Sequence, residues 1–323
     1  MCMACELLQG LDIEALSPPE GAPRHPVHLP DGLGGSHLAD WLATEAAPFG
    51  SRLRRAPALR SNHHWRADAR RDVATAAVDD FRHVWQAKLE GRLPPDARFV
   101  VALPTPYSLI ASGAAGEGYS PGLLEALERE AAAQVATLTA TVPPTELAVQ
   151  WDVCAETRIW ESRGRDLGAP RDLPERLLRS FVALSDAVPA EAQIGWHFCN
   201  RDTHGLPSGE AHDSAQLTRL AGAIIASTDR EPAFLHLPVP ADRHDADYYS
   251  PLANLGLWPS MDVCLGLVHE GDDVEAAWRR LYAATCVLGR VGIAPACGAD
   301  PAVVRPVIEQ LLQRAAGDVP VGD

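Results

Sequence analysis

Pro174-Glu-Arg-Leu-Leu-Arg-Ser-Phe-Val-Ala-Leu-Ser-Asp-Ala187, closely followed by Gln193-Ile-Gly-Trp-His-Phe-Cys199, is the stretch that decides the fold. In its first half Leu177, Leu178, Phe181, Val182 and Leu184 recur at helical spacing, and Pro174 stands where a first-turn proline belongs. Its second half is short, apolar and β-rich, and it ends in an imidazole and a thiol. Helix followed by buried strand, in one repeatable unit, predicts a parallel sheet with both faces covered.

Outward from that unit the same rhythm recurs. Eight β-rich runs stand out: His25–Pro30, Arg52–Pro57, Phe99–Pro104, Leu147–Asp152, Gln193–Cys199, Ala233–Pro238, Val263–His269 and Gly292–Cys297. Helix-like stretches lie between them, at Ser36–Ala47, Asp72–Glu90, Pro121–Ala140, Pro174–Ala187, Ser214–Ser227, Asp273–Val287 and Pro301–Arg314. Eight such units predict an α/β fold of the (β/α)8 TIM-barrel type in a single domain over residues 25–323. Periodicity alone leaves an open doubly wound sheet as the alternative. Residues 1–24, rich in Pro and Gly, read as a tail or arm, and Ser250–Met261 reads as loop and short helix.

Composition narrows the partners. A formal charge of −15 and a pI near 5.2 repel a nucleic-acid backbone or an anionic membrane surface, so a small molecule is the expected partner. Neither a secretory signal nor a bilayer-spanning apolar run is apparent, and a cytoplasmic protein is expected. The cysteines, Cys2, Cys5, Cys154, Cys199, Cys264, Cys286 and Cys297, are too sparse for a disulfide framework and read as thiols. Cys2 and Cys5 lack a second CxxC and read as a non-functional terminus. Cys154, Cys264 and Cys286 are expected to pack as small hydrophobes.

The barrel reading sends functional residues to the C-terminal ends of strands. Asp152, His197, Cys199, His236, His269 and Cys297 all fall there. In His197-Phe-Cys199 the two donors are two apart on a strand and so point to one side, which suits a shared soft metal ion. A coordinating thiol is deprotonated outright, so a metal at this place would deliver a nucleophile without a general base.

The runs Val101-Ala-Leu-Pro-Thr-Pro, Leu147-Ala-Val-Gln-Trp-Asp-Val-Cys, Gly195-Trp-His-Phe-Cys, His236-Leu-Pro-Val-Pro, Leu265-Gly-Leu-Val-His and Ala296-Cys-Gly together resemble the cobalamin-independent methionine synthase superfamily, which includes uroporphyrinogen decarboxylase. The resemblance covers a single catalytic barrel from about residue 25 onward. It implies a zinc-dependent methyl or alkyl transferase acting on a thiol, with Zn2+ bound by His197, Cys199 and Cys297. The family takes a further ligand, a Glu, from the next strand; here that strand carries His236. Either His236 is the ligand, or Glu210 supplies a carboxylate, or the position is open. Asp152 resembles the aspartate that holds the substrate amino group, and His269 the histidine that handles a proton near the donor. The implied partners are a small thiol or methylthio substrate and a folate or corrinoid-protein methyl donor. A second departure is Ala56–Trp65, where single-barrel relatives carry a Pro-Asp-Gly-Glu run.

Other residues admit two readings. Trp151, Trp196, Tyr248 and Tyr249 are read as lining an apolar pocket or as rim packing. Arg243, within Asp242-Arg-His-Asp245, is read as a substrate clamp or a member of a rim salt-bridge network. The acidic Glu270–Asp273 run after His269 is expected to favour its protonated form. Of His63 and His64, adjacent in an extended run, at most one points into the site. Beyond the transferase, the residues leave open a zinc lyase or hydrolase that uses an open metal position, and a decayed barrel that only binds.

Overall fold

The computed structural model describes residues 26–28, 73–93, 95–111, 121–162, 172–199, 214–256 and 260–317. Seven strands form one parallel sheet in chain order: β1 Pro26–His28, β2 Arg98–Pro104, β3 Leu147–Val153, β4 Gln193–Phe198, β5 Phe234–Pro238, β6 Asp262–Val268 and β7 Gly292–Pro295. The helices are α1 Val73–Leu89, α2 Pro106–Ala111, α3 Pro121–Thr141, α4 Glu156–Ser162, α5 Leu173–Asp186, α6 Ala215–Ser227, α7 Ala246–Tyr249, α8 Val274–Leu288 and α9 Pro301–Gly317. The α/β class, the parallel sheet and the positions of six long helices match the expectations from sequence. The short α2, α4 and α7 were not anticipated as helices.

The expected eighth strand is a different matter. Arg52–Pro57 lies outside the described residues, as does the helix-like run Ser36–Ala47. β1 pairs directly with β2, through Val27 opposite Phe99, so no strand stands between them. Among the described residues no ladder joins β7 to β1, and the sheet is not closed.

The sheet nevertheless curls strongly. In a flat sheet, strands three apart stand about 14 Å from one another. Here the Sγ atoms of Cys199, at the end of β4, and Cys297, just past β7, are 2.8 Å apart. That contact requires the two strand ends to bend toward a common axis.

Local chemistry explains the elements. Asp172 precedes α5 and Pro174 sits in its first turn, as the sequence predicts. Asp273 caps α8 by accepting from Ala276 N at 2.8 Å, and Gly289 (φ 74°) ends it. The apolar faces of the helices cover one side of the sheet. Trp196 of β4 meets Phe181 of α5 edge-on, with ring centroids 5.3 Å apart. Neighbouring positions, by alternation, face the concave side, where Val100, Ala148 and Phe234 form a small second cluster.

Gly195 belongs to that inner face, and the Phe234 ring fills the space a side chain would need. A Cβ at position 195 would lie 2.1 Å from Phe234 Cζ. Gly195→Ala is therefore expected to cost about 1–3 kcal/mol through overpacking, read as a lower urea midpoint. Combined with Phe234→Leu the two losses should be less than additive; strict additivity would show that the contact does not set the local packing.

Candidate metal centre

Strand register builds the site. Asp152 of β3 stands opposite His197 of β4, His197 opposite His236 of β5, and His236 opposite Cys264 of β6. One row across four strands thus carries a carboxylate, two imidazoles and a thiol on the concave face. Within it Asp152 Oδ1 accepts from Gln150 Nε2 at 2.8 Å and lies 3.1 Å from His197 Nδ1. His197 is 5% exposed, and its Nε2 is buried without a hydrogen bond among the described residues. In the neutral ring, a carboxylate on Nδ1 would fix the tautomer whose Nε2 can donate to a metal.

Two residues further along each strand stand the thiols. Cys199 N donates to Val153 O at 2.9 Å, extending the β3–β4 ladder, so that Cys154 stands across from Cys199. Cys199 in turn touches Cys297. Cys154, expected to pack as a small hydrophobe, instead joins the site. Its signal was available: Asp152-Val-Cys154 has the same i, i+2 spacing as His197-Phe-Cys199. Of the other two, Cys264 is buried and Cys286 lies exposed on α8.

The electrostatics favour a positive charge here. Burial pushes the His197 imidazolium down, but Asp152 and the adjacent Cys297 outweigh it and hold its pKa up at about 10. Contact with Cys199, reinforced by burial, pushes the Cys297 thiol well above its usual range. Hydrogen bonding with Cys199 lowers the Cys154 thiol, yet burial and the nearby Asp152 carry it above normal.

Several expected site residues lie elsewhere. His236 stacks on His197, with centroids 4.5 Å apart and planes 21° from parallel. Lone pairs lie in the ring planes, so two rings stacked in this way cannot converge on one ion about 2 Å from each. His236 buttresses His197 and is not its co-ligand. Trp151 and Trp196 pair in register on the helix-facing side and are fully buried, so they line no pocket on the concave face. Arg243 pairs with Asp245 at 3.2 Å and lies over the Tyr248 ring at 5.1 Å. Tyr248 is itself buried and donates to Pro238 O at 3.3 Å, so both residues serve a rim network.

His269 follows β6, but the acidic run beside it is committed to other groups. Asp272 accepts from His269 N at 2.7 Å and pairs with Arg280, Asp273 caps α8, and Glu270 accepts from Asp300 N. Glu210, His63, His64, Cys2 and Cys5 lie outside the described residues.

One further residue had no sequence signal. Glu156 opens α4, is 0% exposed, and accepts from Ser108 Oγ at 2.8 Å, from Ala155 N at 3.1 Å and from Thr105 Oγ1. Ser108 Oγ also accepts from Cys154 N at 3.0 Å. The buried carboxyl thus anchors the turn that carries Cys154.

Among the described residues, no three His, Cys, Asp or Glu side chains already surround a common point as a metal requires. At 2.8 Å, Cys199 and Cys297 are closer than the roughly 3.8 Å at which two thiolates share a tetrahedral zinc, and farther than a disulfide at about 2.05 Å. Loading would part them by about 1 Å. The donor set, soft sulfurs beside an oriented imidazole, fits zinc chemically.

No protein-family model matches the chain, and no curated protein matches it in sequence. Among solved structures, it is similar to a protein from Listeria monocytogenes provisionally assigned as a vitamin-B12-independent methionine synthase. That likeness has 17% identity and a TM-score of 0.49, and it covers 76% of this chain and 70% of the other. The chain is also similar to a point variant of the CcCel6A catalytic domain, with 14% identity, a TM-score of 0.40 and coverage of 77% and 74%. Overlap this slight carries no argument, and the chemistry rests on the chain's own geometry.

Burial raises the Glu156 carboxyl above its usual range. The protonated form therefore favours the fold, and the stability it contributes is lost as pH rises from the unfolded pKa through the folded one. Glu156→Gln should flatten that decline in pH-resolved urea unfolding while keeping the fold. Glu156→Ala, which strips Ser108 and Thr105 of their acceptor, should cost about 1–3 kcal/mol. Equal stability of Ala and Gln variants would show that the carboxyl anchors nothing.

Proposed function

We propose that the chain is a zinc-dependent transferase that moves a methyl or other alkyl group onto a thiol, on a sheet that closes into a (β/α)8 barrel around the strand ends. The observation that carries this reading is the contact of the Cys199 and Cys297 sulfurs beside a buried His197 whose Nδ1 is held by Asp152 and whose ring also hydrogen-bonds with Cys297. His197, Cys199 and Cys297 would hold the ion. When bound, it supplies a way to keep a substrate thiol as thiolate at neutral pH.

The remaining roles belong to the chain. Asp152 orients His197 through Oδ1, which also accepts from Gln150, and its carboxylate would hold a cationic group of the substrate. His236 supports the His197 ring from behind. His269, which follows β6 and whose backbone N–H donates to Asp272, would exchange a proton with the leaving group. A folate, a corrinoid protein or a small methylthio compound would serve as methyl donor. No helix among the described residues is long and apolar enough to cross a membrane. Chemistry that depends on reduced thiols belongs in a reducing compartment, so the cytoplasm is the proposed location.

Protein purified without added metal should carry about one zinc per chain. Cys199→Ser and Cys297→Ser should lose it, whereas Asp152→Asn should retain the site with affinity lowered about 10–100-fold. Metal analysis and competition with a chelator measure these effects. Zinc absent from the parent protein, or unchanged in both cysteine variants, would falsify the reading.

A further inference from the structure

We propose that Cys199 and Cys297 form a redox switch, in which exchange with a low-molecular-weight disulfide joins their sulfurs, staples the end of β4 to the turn after β7 and withdraws both thiols from the strand-end site. The bond itself does not depend on the zinc reading above. Its bearing on a metal rests on that reading, since sulfurs joined to each other are lost as thiolate ligands.

Three observations lead here. The two sulfurs already touch at 2.8 Å although 98 residues separate them in the chain. Shortening that contact to a disulfide bond takes a shift of less than about 1 Å. Cys297 is the part-exposed member and Cys199 the buried one, so a dissolved disulfide meets Cys297 and leaves Cys199 for the closing step. Finally, β4 and β7 are connected in the sheet only through β5 and β6, so this bond would tie across the concave face what the ladders leave untied. Cys154 shares the partial exposure of Cys297 and also hydrogen-bonds with Cys199. Yet a bond between those two would join strands already paired, and the Cys154 N–H is held by Ser108 Oγ at 3.0 Å.

The exchange balances. The Cys297 sulfur attacks one sulfur of the small disulfide, a mixed disulfide forms, and a small thiol leaves with the Cys297 proton. The Cys199 sulfur then attacks the Cys297 sulfur, the mixed bond breaks, and a second small thiol leaves with the Cys199 proton. Two protein thiols are oxidised and one small disulfide is reduced to two thiols. Contact with Cys199 and burial hold the Cys297 thiol protonated, which slows the opening step, so the pair answers to sustained oxidant. The closing step joins sulfurs already in contact. In a reducing compartment the pair rests as thiols, and small thiols reverse the bond.

The test brings the full chain, as purified, to equilibrium in 2-hydroxyethyl disulfide with 2-mercaptoethanol, alkylates the remaining thiols and maps the peptides by mass spectrometry. The peptides of Cys199 and Cys297 should be recovered joined in most chains, and separate after excess 2-mercaptoethanol. The exposed Cys286 should carry only the small thiol. With chelator present throughout, the joined protein should unfold at a higher urea midpoint than the reduced one, and Cys297→Ser should lose both the link and the shift. Cys199 joined chiefly to Cys154, mixed disulfides at 199 and 297 without a link, or a link with no rise in midpoint would each overturn the switch, and the parent alone decides this even if the variant does not fold. Zinc is followed separately with a chromogenic chelator and should be released as the link forms. Zinc held with no link sinks the switch and leaves the zinc reading standing, whereas a link in a chain that never held zinc keeps the switch and ends that reading.

Discussion

Parallel pairing of each strand with its neighbour in the chain is the constraint from which the rest of the architecture follows. With that order fixed, β3, β4, β5 and β6 present Asp152, His197, His236 and Cys264 side by side, and the thiols at 154 and 199 stand one repeat above. Side chains alternate with a period of two, so a slip of a single residue in any strand would move its functional group to the helix side and a tryptophan or valine to the concave side. The close fit of Phe234 over Gly195 opposes such a slip in β4 and β5, because only a residue without Cβ admits the ring. Curling of the sheet then brings the end of β7 round to the end of β4, which neighbour pairing alone does not achieve.

A polar row at this depth is costly, and its members contact one another in sequence. Gln150 donates to Asp152, Asp152 fixes His197, and His197 lies flat against His236. The same carboxylate, with Cys297, raises the pKa of a buried imidazole, while the Cys297 thiol is pushed above its usual range by Cys199 and by burial. Burial by itself acts against a charged His197, so the excess comes from specific neighbours and not from solvent. In physical terms the pocket is built to surround positive charge with sulfur and carboxylate, whatever species carries that charge.

The class of fold and the long helices were legible because period 3.6 and period 2 alternate cleanly in the text, as in Pro174–Cys199. Strand-end placement of His197, Cys199 and Cys297 was legible for the same reason. Parity was the signal left partly unread. If His197 faces inward, Trp196 beside it must face the helices, and Cys154 must share the face of Asp152. Reading HxC without DxC missed a thiol, and reading the tryptophans as a group, as pocket lining or as rim packing, left unused that Trp151 and Trp196 share the helix-facing side. The roles of His236 and Glu156 were beyond reach of the sequence. Stacking against His197 and pairing with Thr105 and Ser108 depend on contacts between distant segments that no spacing encodes.

The rim's loops share a mode of anchorage that apolar packing could not supply. After β3 the turn hangs on Glu156, after β5 the chain is held by Asp245 capping α7 and by Tyr248 on Pro238, and after β6 it is held by Asp272 and the buried Arg280. After β7, Gly298 (φ 75°) makes the turn next to Cys297 in a conformation that L side chains rarely adopt. Hydrogen bonds are directional where hydrophobic contact is not, so each anchor fixes an orientation as well as a position. Arg280 shows the principle most fully. It donates to Leu267 O at 2.8 Å and to Ala241 O while pairing with Asp272, and so one buried guanidinium ties the loops after β5 and β6 to α8. Strand-end side chains brought together from β3, β4 and the turn after β7 are held in place by contacts of this kind. Among the described residues, Glu156, Asp272 and Arg280 hold the turns beside the strand ends in this way.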